Sequence, residues 1–89
     1  MAQLEDEKRS AKSLLGKTIV SKAGKKFGEV GNLIFDVKSG ELLQLVLRNP
    51  TILTDGLELE RDEKNNLLIP CSSIVAIGDY VVVAEEDII

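Results

Sequence analysis

The rhythm of apolar and polar positions changes at residue 14. Residues 1–13, MAQLEDEKRSAKS, are mostly polar or charged and offer few apolar anchors. Glu5 and Arg9 stand four apart, a spacing that supports a helical turn, but so short a piece is marginal without packing. Residues 1–13 therefore read as a charged, frayed N-terminal extension. From Leu14-Leu15-Gly16-Lys17 onward, short runs rich in Val, Ile and Leu alternate with turn residues, the pattern of strands. Residues 17–21 make a first strand. Lys22-Ala23-Gly24-Lys25-Lys26 turns the chain, with Gly24 free to take a positive φ. A long second strand runs from residue 27 to about residue 38, with Gly28 and Gly31 inside it. Glycines within a strand mark bulges or bends, and small barrels need bends to close. Ser39-Gly40 is a two-residue hairpin signal. The third strand covers residues 41–49 and stops at Pro50, which cannot donate to a ladder.

Alternation within that third strand is informative. Leu43, Leu45 and Leu47 fall on one side; Leu42, Gln44, Val46 and Arg48 fall on the other. A half-buried strand would be polar along one whole face. Leu42 and Val46 on the second face imply cover by another segment or another chain. Leu42, Gln44, Val46 and Arg48 are thus the first candidates for a protein interface. The longest connection, residues 51–65, contains an alternating piece, Leu57-Glu58-Leu59-Glu60, and an exposed turn, Arg61-Asp62-Glu63-Lys64-Asn65. Leu67-Leu68-Ile69 is a short strand, Cys71-Ser72-Ser73 a helical turn, and Ile74-Val75-Ala76-Ile77 another strand. Gly78-Asp79 turns tightly into a last strand, residues 80–84. The acidic, then apolar, tail Glu85, Glu86, Asp87, Ile88 and Ile89 suits docking as a short peptide or an added strand, and is the second candidate interface. About six strands with frequent turns predict an all-β fold, a small antiparallel barrel over residues 14–84.

Composition narrows the function. Of the 89 residues 44% are apolar, yet Phe27, Phe35 and Tyr80 are the only aromatic ones, so the core must be aliphatic. A chain this short is one domain and buries about 60–65% of its unfolded surface, so a neighbouring chain could supply useful burial. The net charge of −4 repels a phosphate backbone. The clusters Lys8, Arg9, Lys12 and Lys22, Lys25, Lys26 have no interleaved aromatics, and nucleic acid is not the expected partner. Histidine is absent, which removes the commonest general base and metal ligand. Cys71 is the sole cysteine; it can form neither an internal disulfide nor a one-chain zinc site, and reads as a small buried hydrophobe. Gly24, Gly28 and Gly31 match neither the P-loop nor the dinucleotide fingerprint. Glu58, Glu60, Asp62 and Glu63 crowd one stretch without EF-hand spacing or an aromatic platform for a sugar. The expectation is a protein that is not an enzyme and needs no cofactor or metal. No secretory signal and no apolar run of about 20 residues is visible, so the expected location is cytoplasmic, with membrane contact only through a partner.

The order of several short motifs resembles the PRC-barrel domain family. Leu14-Leu15-Gly16-Lys17, Val20 with Gly24, Phe27-Gly28-Glu29-Val30, Leu33 with Phe35-Asp36, and Gly40 with Leu42 resemble its opening. Leu68-Ile69-Pro70 and Ile74 followed by Ile77-Gly78-Asp79-Tyr80-Val81 resemble its ending. The resemblance implies a six-stranded barrel that binds proteins and lacks a catalytic site. It is similar to the stand-alone archaeal barrels of cell division, the CdpB type, which associate with each other and with SepF, the membrane tether of the FtsZ ring. By that resemblance the chain would be a division scaffold, forming a homodimer or a polymer with a sibling barrel, recruited to the division site. Other readings implied or left open are a ribosome-assembly adaptor, as for the barrel of RimM, and a small ligand-binding barrel.

Overall fold

The computed structural model describes residues 12–87 of the chain. Strand β1 is Thr18–Ser21, β2 is Lys26–Phe35 and β3 is Leu42–Arg48. A 3-10 turn, η1, covers Ile52–Gly56; β4 is Glu60–Arg61 and β5 is Leu67–Pro70. A second 3-10 turn, η2, Cys71–Ser73, leads to β6, Ile74–Ile77. Strand β7, Tyr80–Val83, and a third turn, η3, Glu85–Asp87, follow.

All seven strands belong to one sheet, in the order β4-β5-β3-β2-β1-β7-β6. Two features depart from the expected six-stranded antiparallel barrel. First, β1 and β7 run parallel, with Thr18 opposite Tyr80 and Ser21 opposite Val83. Turn residues in a sequence announce antiparallel neighbours; pairing between the two ends of a domain leaves no local signal. Second, among the described residues the ladder does not close, since β4 and β6 end the order. The sheet is rolled by its chain instead. Three residues, η2, connect β5 on one side of the order to β6 at the opposite edge. Ser73 holds this link from within: its Oγ donates to the Pro70 carbonyl at 2.7 Å, and its carbonyl accepts the Ala84 N–H at 2.8 Å.

Rolling brings Leu14, Ile19, Phe27, Val30, Leu45, Leu47, Leu67, Ile69, Val81 and Val83 into one core. The core is aliphatic apart from Phe27, as the composition demands. Gly28 and Gly31 mark where β2 lies tightest on β3. A Cβ at Gly28 would stand 2.9 Å from the Arg48 carbonyl oxygen, and one at Gly31 would stand 2.8 Å from the Arg48 Cβ. Gly31 also sits at a register shift between Val30 and Asn32, the bend that the sequence leads one to expect.

Two hairpins are shaped by aspartates. The β2–β3 connection is longer than the Ser39-Gly40 signal suggests: Asp36 N–H donates to the Glu41 carbonyl at 2.8 Å, and Gly40 N–H to the Asp36 carbonyl at 2.8 Å. Asp36 Oδ1 accepts the Lys38 N–H at 2.7 Å, which ends β2 at Phe35 and not at Lys38. The β4–β5 connection repeats the device, with Asp62 Oδ1 accepting from the Lys64 and Asn66 N–H groups at 2.9 and 2.8 Å. Of the alternating piece Leu57-Glu58-Leu59-Glu60, whose pattern suits a short strand, the first three residues stay outside the ladder. Leu57 and Leu59 pack on the core while Glu58 is exposed, and Glu60 and Arg61 pair with Leu68 and Leu67.

Candidate interaction surface

The third strand supplies the first surface. Its register against β2 shifts between Ile34 and Phe35, so that Ile34 faces Gln44 while Phe35 faces Leu42. Leu43 is the extra residue. The bulge inverts the alternation beyond it: Leu42 packs against the core and Leu43 is 44% exposed. The expectation that placed Leu42 on the outer face is corrected by this shift. Gln44, Val46 and Arg48 are not among the core residues, while Leu45 and Leu47 fill the inside.

The outer face is already partly engaged. Gln44 Nε2 donates to Glu60 Oε2 at 2.9 Å. Arg48 Nε lies 3.5 Å from Glu29 Oε1, which also accepts from Asn49 Nδ2 at 3.0 Å. The hydrogen bond from Asn49, more than the charge of Arg48, holds the Glu29 carboxyl below its ordinary pKa. Val46 pairs with Asn32 on one side and with Leu68 on the other, and Leu68 is only 6% exposed. Three of the four residues expected there, Gln44, Val46 and Arg48, are therefore on one face, with the polar ends of Gln44 and Arg48 tied within the chain.

The C-terminal candidate is partly visible. Glu85 is half-buried, and Glu86 Oε1 pairs with Lys22 Nζ at 2.8 Å, pinning η3 to the β1–β2 turn. That hydrogen bond lowers the Glu86 pKa. Asp87 ends η3. Ile88 and Ile89 lie outside the described residues, as do residues 1–11.

Other chemistry singled out by sequence takes structural roles. Cys71 is half-buried, and burial pushes its thiol above the ordinary value of 9.0, away from thiolate reactivity. Asp62 is held below its ordinary pKa of 3.8, chiefly by the Asn66 N–H. Among the described residues no three or more His, Cys, Asp or Glu side chains gather to hold a metal ion. An open groove of about 650 Å³ runs along Asn32, Val46, Arg48, Asp62, Lys64 and Asn66, on the outside of the sheet and not in the rolled interior. No helix among the described residues is long and apolar enough to cross a membrane.

A further surface was not evident strand by strand. Strand β6 pairs with β7 on one side and, among the described residues, ends the sheet on the other. Val75 and Ile77 on it are 53% and 55% exposed, and Tyr80 on β7 is 56% exposed. The opposite edge is different: β4 has two residues, Glu60 and Arg61, both charged. Short charged edges resist strand addition; an apolar one invites it. One sequence signal could have located it. Residues 65–84 contain a single charged residue, Asp79, in a chain where 29% of residues are charged.

The PRC-barrel domain family matches residues 6–87. This chain belongs to the PRC-barrel domain family. The PRC barrel is similar to an uncharacterized protein of Methanocaldococcus jannaschii, with 34% identity over 82 residues, covering 92% of this chain and 88% of the relative. Membership fits a β-barrel-like domain and points to a small non-catalytic module.

Proposed function

We propose that this PRC barrel is a protein-binding scaffold. The observation that carries the reading is the open β6 edge, where Val75, Ile77 and the neighbouring Tyr80 leave apolar surface uncovered among the described residues. The partner we propose is a SepF-type membrane tether of an archaeal FtsZ ring, reached from the cytoplasmic side. Its support is the resemblance to stand-alone archaeal division barrels, together with an archaeal relative of nearly the same extent. The face bearing Gln44, Val46 and Arg48 and the tail from Glu85 to Ile89 are secondary contact candidates.

Titration of a purified SepF-type anchor with the full chain tests the reading. Saturable binding is expected, weakened at least about tenfold, roughly 1.4 kcal/mol, when Val75 and Ile77 are both changed to Lys. Absence of binding to the anchor, with co-purification of ribosomal proteins from the native host, would move the function to ribosome assembly.

A further inference from the structure

We infer that the β6 edge takes an extended segment of a different protein as an added antiparallel strand, uncharged along β6 and basic where it passes η2. The inference rests on reading that edge as a protein contact and states the chemistry of what fills it. Residues opposite one another in an antiparallel ladder share a face. Ile77 lies opposite Val81, which is fully buried, so Ile77 is on the core side of the sheet; yet it is 55% exposed. The core side therefore runs past β7 and ends uncovered at β6 among the described residues. One more strand, with an apolar residue opposite Ile77, covers it while its backbone pairs with the edge. Antiparallel pairing is the slightly more stable ladder per residue, and β6 already pairs that way with β7. The register shift between Ile74 and Ala76 makes Val75 a bulged residue. Bulged edges resist indiscriminate pairing, so more than the backbone must select the occupant.

Charge supplies that selection. Strand β6 itself carries none. At its N-terminal end the acidic turn η3, with Glu85, Glu86 and Asp87, packs on η2. Glu85 follows Ala84, whose N–H donates to the Ser73 carbonyl at 2.8 Å, and so stands at the start of β6. Lys22 answers Glu86. Lys25 and Lys26 lie toward β2, three strands from β6 along the sheet, about 14 Å and beyond the screening length of about 8–10 Å. Strand β3 also packs on η2, but its one charge, Arg48, is at its far end beside Glu29. At the C-terminal end of β6, Asp79 is offset by Lys17, whose Nζ donates to the Gly78 carbonyl at 2.6 Å. The η2 end is thus the acidic one. In antiparallel addition it meets the C-terminal end of the occupant, and there the basic residues fall. A second copy of this chain answers poorly, because across a two-fold axis the Glu85 end of each copy meets the Asp79 end of the other.

Titration of the isotope-labelled full chain with end-capped peptides, followed by amide NMR, tests the inference. The first probe alternates valine and threonine over four residues and closes with two lysines. The second has the lysines first, and the third has glutamates in place of the lysines. The lysine-ended peptide is expected to shift the β6 amides saturably, to bind at least about tenfold more tightly than the other two, and to weaken as salt rises. Glu85→Gln is expected to weaken it at least about threefold. Glu63→Gln, beyond the other end of β5 from η2, is the control and leaves it unchanged. Equal affinity for the three peptides overturns the inference, as do shifts that avoid β6. So does concentration-dependent self-pairing at β6 that the lysine-ended peptide fails to displace. A peptide that fails at β6, while the purified anchor still needs Val75 and Ile77, overturns strand addition alone and keeps the scaffold function. An anchor indifferent to both residues overturns the two readings together.

Discussion

Gly28 and Gly31 allow β2 to lie against Arg48 more closely than any side chain permits. Gly28 adopts φ +156°, and a Cβ there would press on backbone, which cannot swing aside. Gly28→Ala is expected to destabilise the fold by about 1–3 kcal/mol in urea titration. Gly56, with open space around its Cα, is the counterpart: Gly56→Ala should stay within about 0.5 kcal/mol. Both glycines are equally plain in the sequence. The sequence shows that β2 bends, but which glycine is obligatory depends on what β3 places opposite it. Asp62 carries a second expectation at this scale. Its pKa is lowered in the folded chain, so its contribution to stability is full above about pH 3.8, the ordinary value, and is lost as pH falls through the lowered one. Asp62→Ala should lower the melting temperature at neutral pH, and the gap from wild type should shrink in acid below that value.

Strands were legible where their signal was local. The span Ile74–Ile77, the η2 turn and the stop at Pro50 agree with the residue pattern because turn chemistry and hydrophobic runs mark them. The side that each residue faces in β3 was not legible throughout. One bulge at Leu43 inverts the alternation, and a bulge is a property of two paired strands, invisible in one of them. The inversion has a measurable consequence. Leu42→Ala should cost about 1–2 kcal/mol, less than the roughly 2–5 of a fully buried leucine, while Leu43→Ala should cost about 0.5 or less, by chemical denaturation. Equal costs, or the reverse order, would restore uninterrupted alternation. The same dependence on a neighbour hid the edge: β6 reads like any buried strand until the order of the sheet shows that nothing pairs beyond it among the described residues.

The whole molecule draws on one aliphatic core shared by nearly every strand, with no disulfide to support it. A domain of this size has about 5–13 kcal/mol of stability. Leu45, fully buried in the central strand, should cost about 2–5 kcal/mol when cut to Ala. That is a large share of the total, and the transition should stay two-state while its midpoint falls steeply. Family kinship and the rolled sheet could be expected from the order of short motifs along the chain. The route by which the roll closes could not, because it depends on β1 meeting β7 across most of the sequence.

That parallel contact also sets a schedule for synthesis. While the protein is being made, β1, β2 and β3 can form their meander as soon as residue 48 has emerged. Strand β1 then waits with a bare outer side until residues 80–83 appear. Closure must bridge nearly the full chain, the kind of long-range step that slows folding. A ribosome that stalls before Tyr80 therefore holds a nascent sheet with an unfilled slot at Thr18–Ser21, open to any extended segment nearby until its own last strand arrives.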